Sequence, residues 1–471
     1  MVKKCRQSAQ SVSDETNYLT SNIRRTALSL AVAAALPGAM MPMSAYAQDA
    51  TEDDEVMEEV ITYGSYRRSL VNAIDTKRTS STIVEAISAE DIGKLPDSSI
   101  AESLARLPGL AGERRNGRTS GLSVRGFREE YIGTSMNGRE LLGMGDNRGV
   151  EYDLYPSEII SGVVVYKTPD ASMTTQGIGG IVDLRTTRPL DATPHLVANI
   201  NLEQNDLESA NPDFDDNGHR LALSWSDVFA DDTIGIALAV ATTESPSQEE
   251  QFRGWGYADV NLSNATAGPG ITLAGGEKIL GGHDTFVRSA VLERDTISGV
   301  LQYAPSDDLT VTLDALYIDF SEDKAFRGIE DGGPEWGGSA YTVTGLEDGL
   351  VTSGYYDGFL SVIRNDGERK EAEMTQFGLN LEYELGNDWS LEFDAAYGEV
   401  DKTITNIESY SGAGRAGLST QGSATPRAWT MGSTGATYSD HPTLTPVDLS
   451  DFNTVRLAGP QAWGGGMQNL P

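Results

Sequence analysis

The sequence predicts a small α+β domain followed by the antiparallel strands of a transmembrane β-barrel. Three features predict it: an export signal at the N-terminus, a stretch of short mixed elements over 75–190, and then about seven strands of roughly ten residues. Along those strands apolar side chains alternate with small or polar ones, the pattern of a sheet with one greasy and one wet face.

The export signal occupies 1–47. Arg24-Arg25 precedes the uncharged run Thr26 to Leu36, followed by Pro37-Gly38 and a small-residue end at Ala45-Tyr46-Ala47. A basic flank, a short apolar core and an A-x-A site make a secretory signal peptide, with cleavage expected before Gln48. The core is too short to remain as an anchor, which needs about 20 residues. The single cysteine, Cys5, leaves with it, so neither a disulfide nor a thiolate metal site is expected. The four histidines lie far apart, so no metal and no cofactor is expected either. No later run of 18 apolar residues predicts a transmembrane helix. The full chain has 471 residues, with 70 acidic against 35 basic side chains. That balance excludes a nucleic-acid partner, which needs clustered Lys and Arg.

Residues 48–74 form an acidic arm expected to be flexible. Glu52 to Glu55 and Glu58-Glu59 lead into Val60-Ile61-Thr62-Tyr63-Gly64, a run of strong β-formers. Such a run suits strand addition to the sheet edge of another protein, or is a linker with a chance apolar patch.

Residues 75–190 alternate as a strand from Thr82 to Ile87, then show Ser88-x-x-Asp91, which resembles a capping box. Ile100, Leu104 and Leu107 mark one stripe of a helix, with Asp97 or Ser98 as its N-cap and Pro108-Gly109 as its stop. Leu122 to Phe127, Val163 to Tyr166 and Ile181 to Thr186 read as strands, and Asn137-Gly138 as a hairpin turn. Gly177-Ile-Gly-Gly180 is not a phosphate loop, because a strand follows it where a helix is needed.

From Pro194 onward the alternation begins. Leu196 to Leu202, Leu221 to Trp225 and Ile234 to Val240 alternate with small or polar neighbours, and similar runs cover about 295–303, 309–319, 374–384 and 389–400. Short turns at 230–232, 304–308 and 385–388 take turns with long stretches at 243–285, 321–370 and 401–471. Short turns at one end and long loops at the other distinguish a barrel from a soluble sandwich, since only a closed sheet satisfies its backbone in lipid.

The order of these parts resembles the TonB-dependent outer-membrane receptors. The resemblance rests on Ile100-Ala-Glu-Ser-Leu-Ala-Arg-Leu-Pro-Gly109, Leu122-Ser-Val-Arg125-Gly126-Phe127, Tyr155-Pro-Ser-Glu-Ile-Ile160 and Gly177-Ile-Gly179-Gly180-Ile-Val-Asp-Leu-Arg-Thr186. It implies a plug domain over 75–190 and, over 191–471, the N-terminal part of a barrel of about 22 strands. It implies that Glu59, Val60, Ile61, Thr62 and Tyr63 look like the TonB box, the strand donated to TonB. It also implies that TonB, acting with ExbB and ExbD, relays proton-motive force to shift the plug and admit a ligand. Lys167-Thr-Pro-Asp170 stands where the family often has Lys-Gly-Pro; this variant looks like a subgroup linked to saccharide uptake. A dozen residues between the cleavage site and the TonB-like box leave no room for an extra signalling domain. The ending Gly464 to Pro471 shows no alternation and reads as a cut inside a long extracellular loop. An open seven-strand sheet is expected not to insert or transport by itself.

Trp255, Trp336, Trp429 and Trp463 fall in the long connections, near Tyr341, Tyr355 and Tyr356. Trp255, Trp336, Tyr341, Tyr355 and Tyr356 are the candidate ligand contacts; loop tryptophans equally suit the lipid interface. Stacking aromatics with Asp, Asn and Arg suit an oligosaccharide and equally a catechol siderophore or a cobalamin; the reading leans towards the oligosaccharide. The acidic loops repel a strongly anionic siderophore, an effect that lumen arginines such as Arg125 and Arg139 offset. No G-x-S-x-G, no H-E-x-x-H and no cysteine cluster points to an enzyme. From another class, a secreted β-rich binding or adhesion protein shares the alternation.

Overall fold

A computed structural model describes residues 73–88, 99–115, 118–145, 147–168, 171, 173, 177–337, 339–357, 361–412, 426–445, 448, 450–451, 456–457 and 467–470. The signal sequence, the acidic arm with Glu59 to Tyr63, and Trp463 lie outside the described residues.

The first domain comprises β1 (Val84–Ser88), α1 (Ile100–Leu104), β2 (Leu110–Arg115), β3 (Arg118–Val124), β4 (Ile132–Met136), β5 (Arg139–Glu140), β6 (Ile160–Tyr166) and β7 (Gly180–Thr186). Five strands form a mixed sheet in the order β1-β6-β7-β4-β5, and β2 pairs with β3 as a separate hairpin. Ile100 and Leu104 are fully buried, as the helical stripe requires. The N-cap is Ser99 rather than Asp97 or Ser98. Its Oγ accepts from the Glu102 N–H at 3.3 Å and donates to the Thr119 carbonyl at 2.6 Å. The tie to β3 therefore sets where the helix starts, a constraint that local spacing does not contain.

The predicted strand at Leu122 begins earlier, at Arg118, and ends at Val124. Arg125 and Gly126 follow with φ of 55° and 80°, a left-handed turn that bends the chain so that Val124 bridges back to Phe127. The β2 strand was not legible, because Gly112-Glu-Arg-Arg115 carries no apolar alternation. The Asn137-Gly138 turn is as expected, with φ of 54° and 79° joining β4 to β5.

Seven long antiparallel strands then form a wall, each paired with the next. They start with β8 (His195–Gln204), β9 (Asn217–Phe229) and β10 (Ile234–Gly254). Three short strands of a second sheet intervene: β11 (Tyr257–Asp259), β12 (Ala265–Ala267) and β13 (Lys278–Leu280). The wall resumes with β14 (His283–Ser306) and β15 (Leu309–Asp331). After α2 (Pro334–Gly337), β16 (Tyr341–Glu347) and β17 (Leu350–Tyr356), it continues as β18 (Ser361–Gly386) and β19 (Trp389–Ile407). Next come β20 (Tyr410–Gly412), β21 (Arg427–Gly432) and β22 (Gly435–Asp440), then β23 (Arg456–Leu457) and β24 (Met467–Leu470), which extend the wall beside β20 and β19. The three tight connections fall where the turns were expected. In the first, Ala230, Asp231 and Asp232 all adopt positive φ.

After β8, which has ten residues, the strands are longer: β10 has 21, β14 has 24, β15 has 23 and β18 has 26. The stretches expected as long loops are in large part strand. Alternation stops where both faces become polar, but the backbone ladder needs no apolar side chains to continue. The outward row one step beyond the apolar band shows the change, with Asp295 beside Asp319, Asp319 beside Glu373 and Glu373 beside Asp401.

The two faces of the wall differ as the sequence requires. Leu196, Ile200, Leu238, Leu313, Phe377 and Phe393 stand exposed on the outer face. Phe229, Tyr303, Tyr383 and Trp389 stand exposed near the short turns, the position of an aromatic girdle. The inner face of β10 carries Gly235, Ala237, Ala239 and Ala241, whose small side chains let the first domain approach. Ala239, Leu292, Leu316, Ile318, Phe320, Ala372 and Met374 of the wall share one core with Leu122, Val165 and Leu184 of the domain. Among the described residues no helix is long and apolar enough to cross a membrane; the strands are a separate matter.

Beyond the wall, the second sheet has its own core of Val260, Ile279, Tyr341, Val343, Val351, Tyr356 and Trp429. Trp429→Ala is expected to destabilise this sheet by about 3 kcal/mol, as for a large core aromatic. Limited proteolysis should then cut between 257 and 280 while leaving the wall strands intact.

Candidate functional site

The residues that bear on function lie where the first domain meets the inner face of the wall. The sequence motifs build that domain. Gly177 sits so close to β4 that a Cβ would lie 2.1 Å from the Gly133 nitrogen. A Cβ on Gly179 would lie 2.7 Å from Phe127 Cβ, and Gly180 has φ of 148° with the Tyr166 carbonyl beside it. Arg125 and Gly126 make the turn that delivers Phe127 to this contact. Close packing thus explains Gly177, Gly179 and Gly180, and the left-handed turn explains Arg125 and Gly126. Gly177→Ala should cost the domain about 3 kcal/mol, because backbone atoms at that distance must move. Thermal unfolding of the purified full-length protein measures it, and an unchanged midpoint would show that the contact relaxes freely.

Lys167, the first residue of the variant motif, is also structural. Its ammonium pairs with Glu85 at 3.1 Å and donates to the Pro108 carbonyl at 2.6 Å, joining β1 to the end of the helical segment. Burial raises the Glu85 carboxyl, but Lys77 and Lys167 outweigh that and hold it below the ordinary value. Glu151 shows the opposite balance: burial raises its carboxyl, even though it accepts the Met144 N–H at 2.8 Å.

Charged pairs tie the domain to the wall at two levels. Near the short turns, Arg139 donates to both carboxylate oxygens of Asp394 at 2.8 Å and to Asp314 at 2.6 Å. Gly378 makes room for it, since a Cβ there would lie 1.8 Å from the guanidinium. Towards the far end, Arg118 pairs with Glu322 at 2.6 Å and Glu158 with Arg220 of β9 at 2.5 Å. Asp314 and Glu322 are eight residues apart on β15, roughly 26 Å at 3.3 Å per residue. The domain is therefore pinned over most of its height. Arg139 is fully engaged by the wall, so it does not offset the loop charge as the sequence suggested. Arg125 is exposed, but at the opposite end of β3 from Arg118.

The aromatic candidates separate into different surroundings. Tyr341 and Tyr356 are buried in the core of the second sheet, with Tyr356 stacked on Trp429 at 5.7 Å. Their rings pack and present no open face. Trp255 is half-buried, closes on Gly282 and donates to Asp284 at 3.1 Å. Tyr355 is half-buried with its ring edge-on to His441. Trp336 lies in α2, and its side chain is outside the described residues. The structure does not bring Trp255, Tyr341, Tyr355 and Tyr356 together around one open face. It brings together buried arginines instead, which alternation and aromatic content did not single out. The available signal was the basic residue at inward positions of wall strands, Arg220 and Arg294.

Residues 76–181 match the family model for the TonB-dependent Receptor Plug Domain. An iron-regulated outer membrane virulence protein of Vibrio cholerae serotype O1 is 28% identical over 158 residues, covering 32% of this chain and 23% of the relative. Among solved structures, the outer membrane transporter YddB from Escherichia coli is similar, with a TM-score of 0.36 and 10% identity over 76% of this chain and 52% of that one. The siderophore receptor PirA from Acinetobacter baumannii has a TM-score of 0.32 and 11% identity over 76% and 62%. This chain thus covers under a quarter of the curated relative and about half of the first structure.

Proposed function

We propose, on the premise that the chain carries a TonB-dependent receptor plug domain ahead of antiparallel barrel strands, that it serves energised uptake of a scarce ligand across the bacterial outer membrane. The observation that carries this reading is the plug held against the inner wall by ion pairs at two levels. A domain so held blocks the lumen until work is done on it, which suits a partner that supplies force. TonB, with ExbB and ExbD, is that partner, and Glu59 to Tyr63 is the strand offered to it.

For the ligand, an oligosaccharide is the preferred reading. It draws on Lys167-Thr-Pro-Asp170 and on the acidic extracellular face, which repels a polyanionic chelate. Trp255, Trp336 and Tyr355 remain candidate contacts. A ferric siderophore is the second reading, favoured by the name of the iron-regulated Vibrio relative.

Fractionation and uptake test the proposal. The full-length protein should resist salt and urea and leave the membrane only with detergent, and uptake of its ligand should stop in a strain lacking TonB. Release by urea would favour a secreted binding protein. Uptake unaffected by loss of TonB would remove the energy coupling.

A further inference from the structure

The outer face of the wall is not evenly filled. Strand pairing sets Leu238 beside Gly299, Gly299 beside Ala315 and Ala315 beside Phe377. Two small residues thus lie side by side on the central strands β14 and β15, and a basin of about 700 Å³ opens over them. Leu238, Leu301, Leu313 and Phe377 stand exposed around it. The backbone does not demand the glycine, because Gly299 does not adopt positive φ. A Cβ there would meet only Leu238 Cδ2, at 3.3 Å. A glycine inside a strand weakens it and often marks the close approach of another molecule.

Height places the basin. From Leu309, beside Tyr383 of the girdle, β15 climbs ten residues to Asp319 in the acidic row. That is about 33 Å along the strand, or about 25 Å when tilted by about 40°, the height of the apolar band of an outer-membrane barrel. Asp295, Asp319, Glu373 and Asp401 therefore stand at headgroup level. Ala315 lies about 13 Å along the strand below them, among acyl chains. The next row adds Glu244, Glu293 and Glu371, and from β10 to β19 neither row contains Lys or Arg.

We propose that this outer face binds one lipid with an ammonium headgroup, its acyl chain lying in the basin and its ammonium meeting Glu373 and Asp401, both of which are exposed. The chain gains no hydrophobic free energy, since lipid tails are as apolar as the wall. It fills a void whose lining otherwise lacks dispersion contacts. Selection comes from the headgroup. Carboxylates at that level attract a cation and repel a lipid whose headgroup is only anionic. The same rows disfavour a second copy, which would set carboxylates against carboxylates. The inference needs a wall in lipid and does not depend on energised uptake.

The test incubates the purified full-length receptor with equal amounts of phosphatidylethanolamine and phosphatidylglycerol of matched chains and counts retained lipid by native mass spectrometry. One lipid should remain on the monomer. The amine headgroup should be favoured about fivefold, the effect of a single charge near an oppositely charged surface. Gly299→Phe with Ala315→Leu fills the basin and should remove that lipid whatever its headgroup. Glu373→Gln with Asp401→Asn should leave the lipid in place and bring the two headgroups close to parity. Both carboxylates are exposed, so this charge variant tests the proposal even if the filled one assembles poorly. Equal retention of the two lipids by the unaltered receptor, undiminished retention in the filled variant, or an undiminished preference in the charge variant would overturn the proposal. A preference for phosphatidylglycerol that EDTA abolishes would overturn it too, by putting a divalent cation on the acidic row. So would a dimer that the filled variant loses, which would put a second copy in the basin.

Discussion

Ile61→Pro in the full-length receptor should abolish energised uptake while leaving ligand binding at the cell surface unchanged. A strand added to a sheet edge pairs through its own N–H and C=O groups, and specificity comes from alternate side chains. Proline has no N–H and fixes φ near −65°, so it removes one ladder hydrogen bond from a five-residue segment and restricts its neighbour. The segment is too short to compensate elsewhere. Radiolabelled ligand uptake against surface binding at 0 °C separates the two effects. Retained uptake would show that Glu59 to Tyr63 is only a linker. An Ile61→Val control, which keeps the β-branched side chain and the N–H, should transport at close to the wild-type rate.

The second large effect is expected at the lower plug tie. Arg139→Ala leaves Asp314 and Asp394 facing each other across a gap with no cation between them. Removing one partner of a buried ion pair costs about 3–5 kcal/mol, and the lower end applies because Asp394 is about a third exposed. The plug should therefore unfold or tilt at a lower temperature than the wall. Cells carrying the full-length variant should admit vancomycin more readily than cells carrying the unaltered protein. Replacing all three charges, with Arg139→Gln, Asp314→Asn and Asp394→Asn together, should recover much of the lost stability, since whole-network replacement leaves no unpaired charge. If Arg139→Ala melted and excluded vancomycin like the wild type, packing in the shared core would be holding the plug unaided. Ala239, Leu316 and Ile318 would then be the positions to test.

Much of the fold was readable because it obeys short-range rules. Ile234 to Val240 against Gly235 to Ala241 announces a strand with a lipid side and a tight inner side. Asn137-Gly138 announces a hairpin for want of other residues that tolerate its backbone. The site was less readable. Tyr341 and Tyr356 carry the same composition signal whether they stack on a ligand or on Trp429, so sequence alone assigned them to the wrong surroundings. Arg139 reads as an available cation until Asp314 and Asp394, more than 170 residues away, are seen to enclose it.

Residue order was enough to give the plug motifs, the number of long wall strands and the positions of the tight turns. Each of these depends on neighbours within a few residues or on a period of two. Folding in three dimensions decided which charges meet, where the helix begins, how far the strands run beyond the apolar band and which aromatics are covered. Those outcomes depend on groups separated by scores of residues, and burial changes what a charge or a ring can do only once its surroundings have closed over it.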